Sequence, residues 1–327
     1  MNTKILNGDC IEMMRTLPEK SINCCVTSPP YFGLRDYGTA SWEGGDINCD
    51  HKIPANEHDP KRGKSDASTS HTLRFNRTHC HKCGATRIDK QIGIEETPDA
   101  FVQKLVEVFR EVKRVLRDDG TLWINIGDSY ASNQSDGDRV SKYSPKQTTN
   151  AGKLGGKQRV PEGLKEKDLI GIPWMVAIAL RMDGWYLRQD IIWHKPNPMP
   201  ESVEDRCTKS HEYVFLLSKS KKYYYDYKSI KEKAVDSNEL KNKRSVWSVN
   251  TKPYKGAHFA TFPPDLIIPC ILAGCPKGGV VLDPFGGSGT TAAVANEEGR
   301  DAILCELNPD YIPLINKRLS EVQPKLF

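Results

Sequence analysis

Short apolar runs alternate with amphipathic stretches along most of the chain, and this alternation limits the fold more than any other feature. Lys4 to Cys10, Ser21 to Thr27, Thr121 to Ile126, Leu187 to Trp193, Tyr213 to Leu217, Gly279 to Leu282 and Ala302 to Glu306 have the length and composition of strands. Between them, Ile11 to Leu17, the stretch from Thr97, Ile172 to Met182, Pro264 to Ala273, Thr290 to Glu298 and Pro309 to Val322 read as helices. In the longest helix Thr97 is an N-cap and Pro98 takes the first helical position. Phe101, Leu105, Phe109, Val112 and Leu116 then recur at helical spacing, and Gly120 marks the expected end. Strands alternating with helices predict an α/β fold around a mostly parallel sheet.

Two polar stretches interrupt the pattern. Residues 36–96 carry little periodicity and read as an insertion; 131–167 read as a flexible basic loop bearing Lys142, Lys146, Lys153, Lys157 and Arg159. Residues 219–255 are basic and aromatic, with Lys221, Lys222, Tyr223, Tyr224, Tyr225, Lys243, Arg244 and Trp247. This divides the chain into 1–35 and 97–327 as the main α/β domain, with 36–96 inserted. At 327 residues the chain can bury a sizeable core. No apolar run reaches the roughly 20 residues of a membrane span, and the N-terminus lacks the apolar core of a signal peptide. Ten scattered cysteines suit a reducing compartment, so a cytoplasmic protein is expected. A net charge of +5 permits a polyanionic partner.

Two strand ends carry chemistry. Asp283-Pro284-Phe285-Gly286-Gly287-Ser288-Gly289-Thr290-Thr291 joins a strand to a helix, where glycines let the backbone approach a ligand. Glu306 ends the following strand, a place where an acid commonly meets ribose hydroxyls. Thr290 in place of Lys excludes a P-loop, and Ala292 stands where a dinucleotide motif has its third glycine. The negative charge of Asp283 is poorly suited to a pyrophosphate and well suited to the cationic ends of S-adenosylmethionine. Thr27-Ser28-Pro29-Pro30-Tyr31 closes another strand with carbonyl acceptors, one hydroxyl and few N–H donors. Such a turn can accept hydrogen bonds from an exocyclic amine, while Tyr31 offers a face for a planar base.

The paired motifs resemble those of the DNA amino-methyltransferases that act on cytosine N4 or adenine N6. Their order, TSPPY first and DPFGGSGTT last, is similar to the β group of these enzymes. The resemblance extends to NGDC, RVLRDDGTLWINIGDSY, IIWHKPNPMPES, SHEYVFLLSKS and HFATFP. It implies a circularly permuted Rossmann-like class I methyltransferase fold, with a seven-stranded, mostly parallel sheet and helices on both faces. It also implies S-adenosylmethionine as methyl donor and double-stranded DNA as partner. A cognate restriction endonuclease and a monomeric or homodimeric state are compatible with it, as is a bacterial or phage source. Ser28, Pro29, Pro30 and Tyr31 would then be catalytic. Asp9, Cys10, Phe262, Asp283, Phe285, Gly287, Ser288, Gly289, Thr290 and Glu306 would bind the cofactor. His194, Lys195 and Asn197 would contact the target base or DNA, and 219–255 would recognise the target sequence. Transfer would be direct, so Cys270 after Pro269 reads as core packing. Ser before the proline pair favours cytosine N4, with adenine N6 as the alternative. Amine methylation of RNA or of a protein glutamine uses the same chemistry. From another class, a nonenzymatic nucleic-acid-binding module with a degenerate transferase fold is disfavoured by two intact motifs.

Within the insertion, Cys49-x-His51 and Cys80-x-x-Cys83-Gly84 have the spacing of a zinc knuckle. Cys49, His51, Cys80 and Cys83 form a Cys₃His set for a structural zinc, with His79 and His81 leaving the fourth ligand ambiguous. A metal would give a polar segment a reason to fold.

Overall fold

The computed structural model describes residues 1–33, 39–51, 79–80, 82–131, 160–234, 237–252 and 262–322. An eight-stranded sheet forms from β1 (Thr3–Asn7), β2 (Ile22–Thr27), β5 (Leu116–Ile126), β6 (Tyr186–His194), β7 (His211–Ser218), β10 (Val246–Ser248), β11 (Val280–Asp283) and β12 (Asp301–Glu306), in the order β1-β12-β11-β2-β5-β7-β6-β10. Two small ribbons lie apart from it, β3 (Ser41–Glu43) with β4 (Thr86–Ile88) and β8 (Glu232–Lys233) with β9 (Leu240–Lys241). Among the described residues of the main sheet only β7 runs against its neighbours; every other pairing is parallel. This is the permuted, mostly parallel Rossmann-like sheet expected from the sequence, with the C-terminal strands β11 and β12 lying between β1 and β2. The eighth strand, beyond the seven expected, is the short edge strand β10, which pairs with β6.

Alternate residues of each central strand feed opposite faces, as pleating requires. Cys25, Leu122, Ile124, Phe215 and Leu217 pack with α1 (Cys10–Arg15), α2 (Pro98–Val115) and α3 (Ile172–Met182). Cys24, Val26, Trp123, Val214 and Leu216 pack on the other face with α4 (Pro264–Gly274), α5 (Thr290–Glu297) and α6 (Ile312–Ser320). Thr97 caps α2 as expected, its hydroxyl accepting from Ala100 N–H at 3.1 Å. The helix stops at Val115 rather than Gly120, and the chain turns directly into β5. Gly120 instead lies inside β5, where its pairing with β2 shifts register between Ile22 and Cys24. A Cβ there would come within 3.1 Å of the Asn23 carbonyl and 3.0 Å of the Arg117 carbonyl.

The chain leaves β11 through α5 toward β12 and leaves β2 through α2 toward β5, on opposite faces of the sheet. The carboxyl ends of β11 and β2 are therefore a topological switch point, where open α/β sheets form a crevice. Strand β1 docks beside β12, with Gly8 N–H donating to the Glu306 carbonyl at 2.9 Å.

Candidate functional site

The two motif turns meet at this switch point. Ser28, Pro29, Pro30 and Tyr31 follow β2, and Asp283 to Ser288 follow β11; all line one cavity. Gly8, Asp9, Cys10 and Thr290 line it too, as do Glu306, Leu307, Asn308 and Tyr311 after β12, and Phe262 before α4. Gly289 does not reach the cavity. It sits behind the wall as the left-handed N-cap of α5 (φ +77°), and a Cβ there would lie 2.9 Å from Ile315 Cγ2. There the residue shapes the turn and packs against α6.

Asp283 is buried and held by its own chain. Thr27 Oγ1 donates to Oδ1 at 2.6 Å, Thr291 Oγ1 to Oδ2 at 2.6 Å, and Phe285 N–H to Oδ1 at 3.0 Å. The carboxylate thus ties the end of β2 to the turn of β11 and the start of α5. Burial raises it to about 6, and these three donors oppose the rise. Glu306 takes Gly287 N–H at 2.7 Å and Asn308 N–H at 2.8 Å, and burial pushes it to about 7. Two buried carboxyls held above their ordinary range favour a cationic ligand, because a nearby positive charge stabilises their ionised forms. Asp9 caps α1 through Ile11 and Glu12 N–H at 3.0 Å while lining the cavity, so the cap leaves it in reach of a ligand. With carboxylates at three points and an apolar wall of Phe262, Phe285 and Ile92, the donor set fits a molecule with cationic ends and a flat base.

The Tyr31 phenol donates to Glu212 Oε2 at 2.7 Å and lies 3.4 Å from Asn125 Oδ1. Asn125 Nδ2 in turn donates to Glu212 at 3.2 Å and to the Tyr213 carbonyl at 3.1 Å. Lys195 pairs with the other oxygen of Glu212, its ammonium 4.3 Å from the Trp193 ring centroid. Burial, and then the Glu212 charge, raise the phenol well above its usual value. Gly127 leaves the room this network needs: a Cβ there would stand 2.7 Å from Tyr31 Cε2.

Of the three residues expected at the DNA, Lys195 joins Tyr31 through Glu212. His194 and Asn197 turn to the sheet edge: His194 Nδ1 meets Ser248 Oγ at 3.0 Å, and Asn197 Nδ2 donates to the Thr251 carbonyl at 3.2 Å. Cys270 is buried within α4, and burial raises its thiol far above the nucleophilic range, as core packing predicts. Tyr225 stacks on Trp123 with ring centroids 6.3 Å apart, so part of the 219–255 aromatic run braces the sheet. The basic residues of 131–167 from Lys142 to Arg159 lie outside the described residues.

The insertion contributes more than its sequence foretold. Thr39, Lys90, Gln91 and Ile92 line the cavity, and Gly93 packs against the turn, its own Cβ position 3.0 Å from the Tyr31 carbonyl. Boundaries at 36 and 96 therefore cut through the cavity wall. The nearby pairing of Gly33 N–H with the Gly93 carbonyl at 2.8 Å joins its two sides. The four expected metal ligands converge: their ligand atoms all lie within 4.8 Å of one another.

The profile of the N6/N4 DNA methylase family matches residues 22–317. The chain is 46% identical over 315 residues to the Type II methyltransferase M.Cfr9I of Citrobacter freundii, covering 96% of this chain and 87% of that one. It is also 46% identical over 318 residues to M.SmaI of Serratia marcescens, covering 97% and 90%. Among solved structures it matches the PvuII DNA methyltransferase (cytosine-N4-specific) at TM-score 0.61 with 18% identity, over 97% of this chain and 86% of that one. A putative DNA modification methylase of Thermus thermophilus, complexed with S-adenosyl-L-methionine, matches at TM-score 0.57 with 21% identity, over 100% and 98%. With its two signature turns in one cavity and a family match spanning most of its length, the chain belongs to the DNA amino-methyltransferases.

Proposed function

We propose that the protein methylates the exocyclic N4 amine of cytosine within a specific sequence of duplex DNA, as the modification partner of a restriction endonuclease in a bacterial cytoplasm. One observation carries this reading: an acceptor-rich Ser-Pro-Pro-Tyr turn and a glycine turn with a buried acid end adjacent parallel strands and line the same cavity. S-adenosylmethionine would supply a methyl group activated on a sulfonium. Asp283 and Glu306 place negative charge beside its cationic end and its ribose, and Asp9, next to the β1 end that pairs with Glu306, lines the same cavity. Ser28 and the Pro29 carbonyl accept from the target NH₂ and orient its lone pair. Tyr31 stacks on the flipped base, held by Glu212. These residues would hold the amine in line with the methyl carbon, so that the new N–C bond replaces the S–C bond, the sulfonium departs as a neutral thioether and the amine's proton is released to solvent; positioning with electrostatics would supply the rate. No protein nucleophile is required.

Cytosine is favoured over adenine by Ser28, a neutral acceptor where an acid would otherwise precede the prolines. The PvuII enzyme, which shares this fold, is by its name cytosine-N4-specific. Target recognition is assigned to 219–255, where Lys221, Lys222, Lys231 and Lys241 are exposed, together with the basic loop 131–167. The reading includes one structural zinc on Cys49, His51, Cys80 and Cys83. Tetrahedral bonds of about 2.3 Å to sulfur set S···S separations near ~3.8 Å, and Cys49 Sγ stands 3.8 Å from Cys80 Sγ.

The test is methylation of a random-sequence duplex library, read by sequencing that separates N4-methylcytosine from N6-methyladenine. N4-methylcytosine confined to one short sequence is expected. N6-methyladenine would overturn the base assignment, and an unmodified library would overturn the activity.

A further inference from the structure

We propose that the Cys₃His metal site is a clamp that holds one wall of the methyl-donor cavity in place. The inference rests on the zinc reading above and adds a role to it. The ribbon β3–β4 joins the two sites. Its strands pair over three residues each, Ser41 opposite Ile88, Trp42 opposite Arg87 and Glu43 opposite Thr86. Beyond Glu43 the chain turns to Cys49 and His51; just before Thr86 lie Cys80 and Cys83. The four ligands therefore close one end of the ribbon. From the other end emerge Thr39 on one strand and Lys90, Gln91 and Ile92 on the other, and all four line the cavity.

Among the described residues, little else holds the ribbon shut. Its strand residues are exposed or half-buried, so they bury too little apolar area to offset the entropy of ordering. What organisation exists centres on the ligands. Cys80 N–H donates to the Ala85 carbonyl at 2.6 Å and Gly84 N–H to the Cys80 carbonyl at 2.8 Å, with Gly84 at φ +74° closing the knuckle. Cys83 Sγ lies 3.4 Å from His51 Nδ1, and the Trp42 ring stacks on His51 at 5.0 Å. Gly45 gives way to this cluster, since a Cβ there would meet Cys83 Sγ at 2.7 Å. At the cavity end, the Thr39 hydroxyl is buried without a hydrogen-bond partner among the described residues, as a group aimed at a ligand would be. Lys90 ties the wall to α1 by pairing with Glu12 at 2.8 Å. Metal bound at one end fixes the register of the ribbon and so the position of Thr39, Gln91 and Ile92 at the other.

The test uses the full chain. Metal analysis of the purified protein is expected to return about one zinc per chain. Cys80→Ser/Cys83→Ser is expected to return none and to bind S-adenosylmethionine at least tenfold more weakly in calorimetry, while the cooperative unfolding of the sheet persists. Thr39→Val is expected to weaken the cofactor with zinc retained. In case the double variant misfolds, wild-type protein stripped by chelator should lose the same affinity and regain it when zinc is added back. A zinc-free protein that binds the cofactor as tightly as the zinc-bound form overturns the clamp. Native protein with no zinc overturns the metal site itself, and zinc-loaded native protein that does not bind the cofactor overturns the methyltransferase reading instead.

Discussion

Tyr31 is positioned by residues that have no chemistry of their own. Its phenol is fixed by Glu212 and Asn125, and its ring edge lies where only Gly127 leaves room. Gly127→Ala is expected to leave S-adenosylmethionine affinity unchanged and to lower methyl transfer roughly 100-fold, because displacing a reacting partner by about an ångström costs that much. Calorimetry with the cofactor and a single-turnover methylation assay read the two effects separately; a variant with the wild-type transfer rate would remove Gly127 from the account. At this scale the sequence was legible where a residue's place follows from its own motif, as with Ser28, Asp283 and Glu306, which line one cavity as their strand-end positions implied. It was silent where function depends on a neighbour across the sheet. Glu212 is 181 residues from Tyr31 in the chain, and SHEYVFLLSKS, though part of the family likeness, gives no sign that its acid meets that phenol.

At the level of elements, strand–turn–helix units proved the most readable, because apolar runs ending in Pro or Gly leave few conformations open. The unit β11–turn–α5 separates two uses of glycine. Gly287 (φ +50°) has no foreign atom closer than 3.8 Å, whereas Gly289 (φ +77°) abuts Ile315. Gly287→Ala should therefore cost about 1 kcal/mol of backbone strain. Gly289→Ala carries the same strain plus a steric clash, and should lose about 1–3 kcal/mol more. Thermal or urea unfolding of both variants checks the order, and equal losses would show that α6 moves aside freely. Less legible was the passage from α2 to β5. Helical spacing continues to Leu116, yet the pairing of Leu116 with Ile22 of β2 outweighs local preference and draws the chain into the sheet from that residue on. The part the insertion plays was illegible for a related reason: its polar composition gives no sign that its two ends run into the cavity wall.

Over the whole molecule, the buried carboxyls set a dependence on pH. Glu306 stands at about 7 in the folded protein against an ordinary 4.5. The unfolded chain thus loses this proton first as pH rises, and the native state is left paying for a buried charge. The contribution of Glu306 is fully present below about pH 4.5 and is lost as pH climbs through about 7. Each unit of the interval is worth about 1.4 kcal/mol. Glu306→Gln is expected to flatten the fall in stability across this window, with urea titrations at several pH values as the measurement; parallel curves for the two proteins would place the slope elsewhere. Asp283, at about 6 by the same cause, contributes in the same direction.

The docking of β1 beside β12 has a consequence for biosynthesis. The turn at Ser28 to Tyr31 leaves the ribosome early, while the glycine turn and Asp283 follow about 255 residues later. Gly8 finds its partner carbonyl on Glu306 only after that turn and the strand beyond it have emerged. A nascent chain thus carries one wall of the cavity long before the other, and the cavity waits until β12 has docked between β1 and β11.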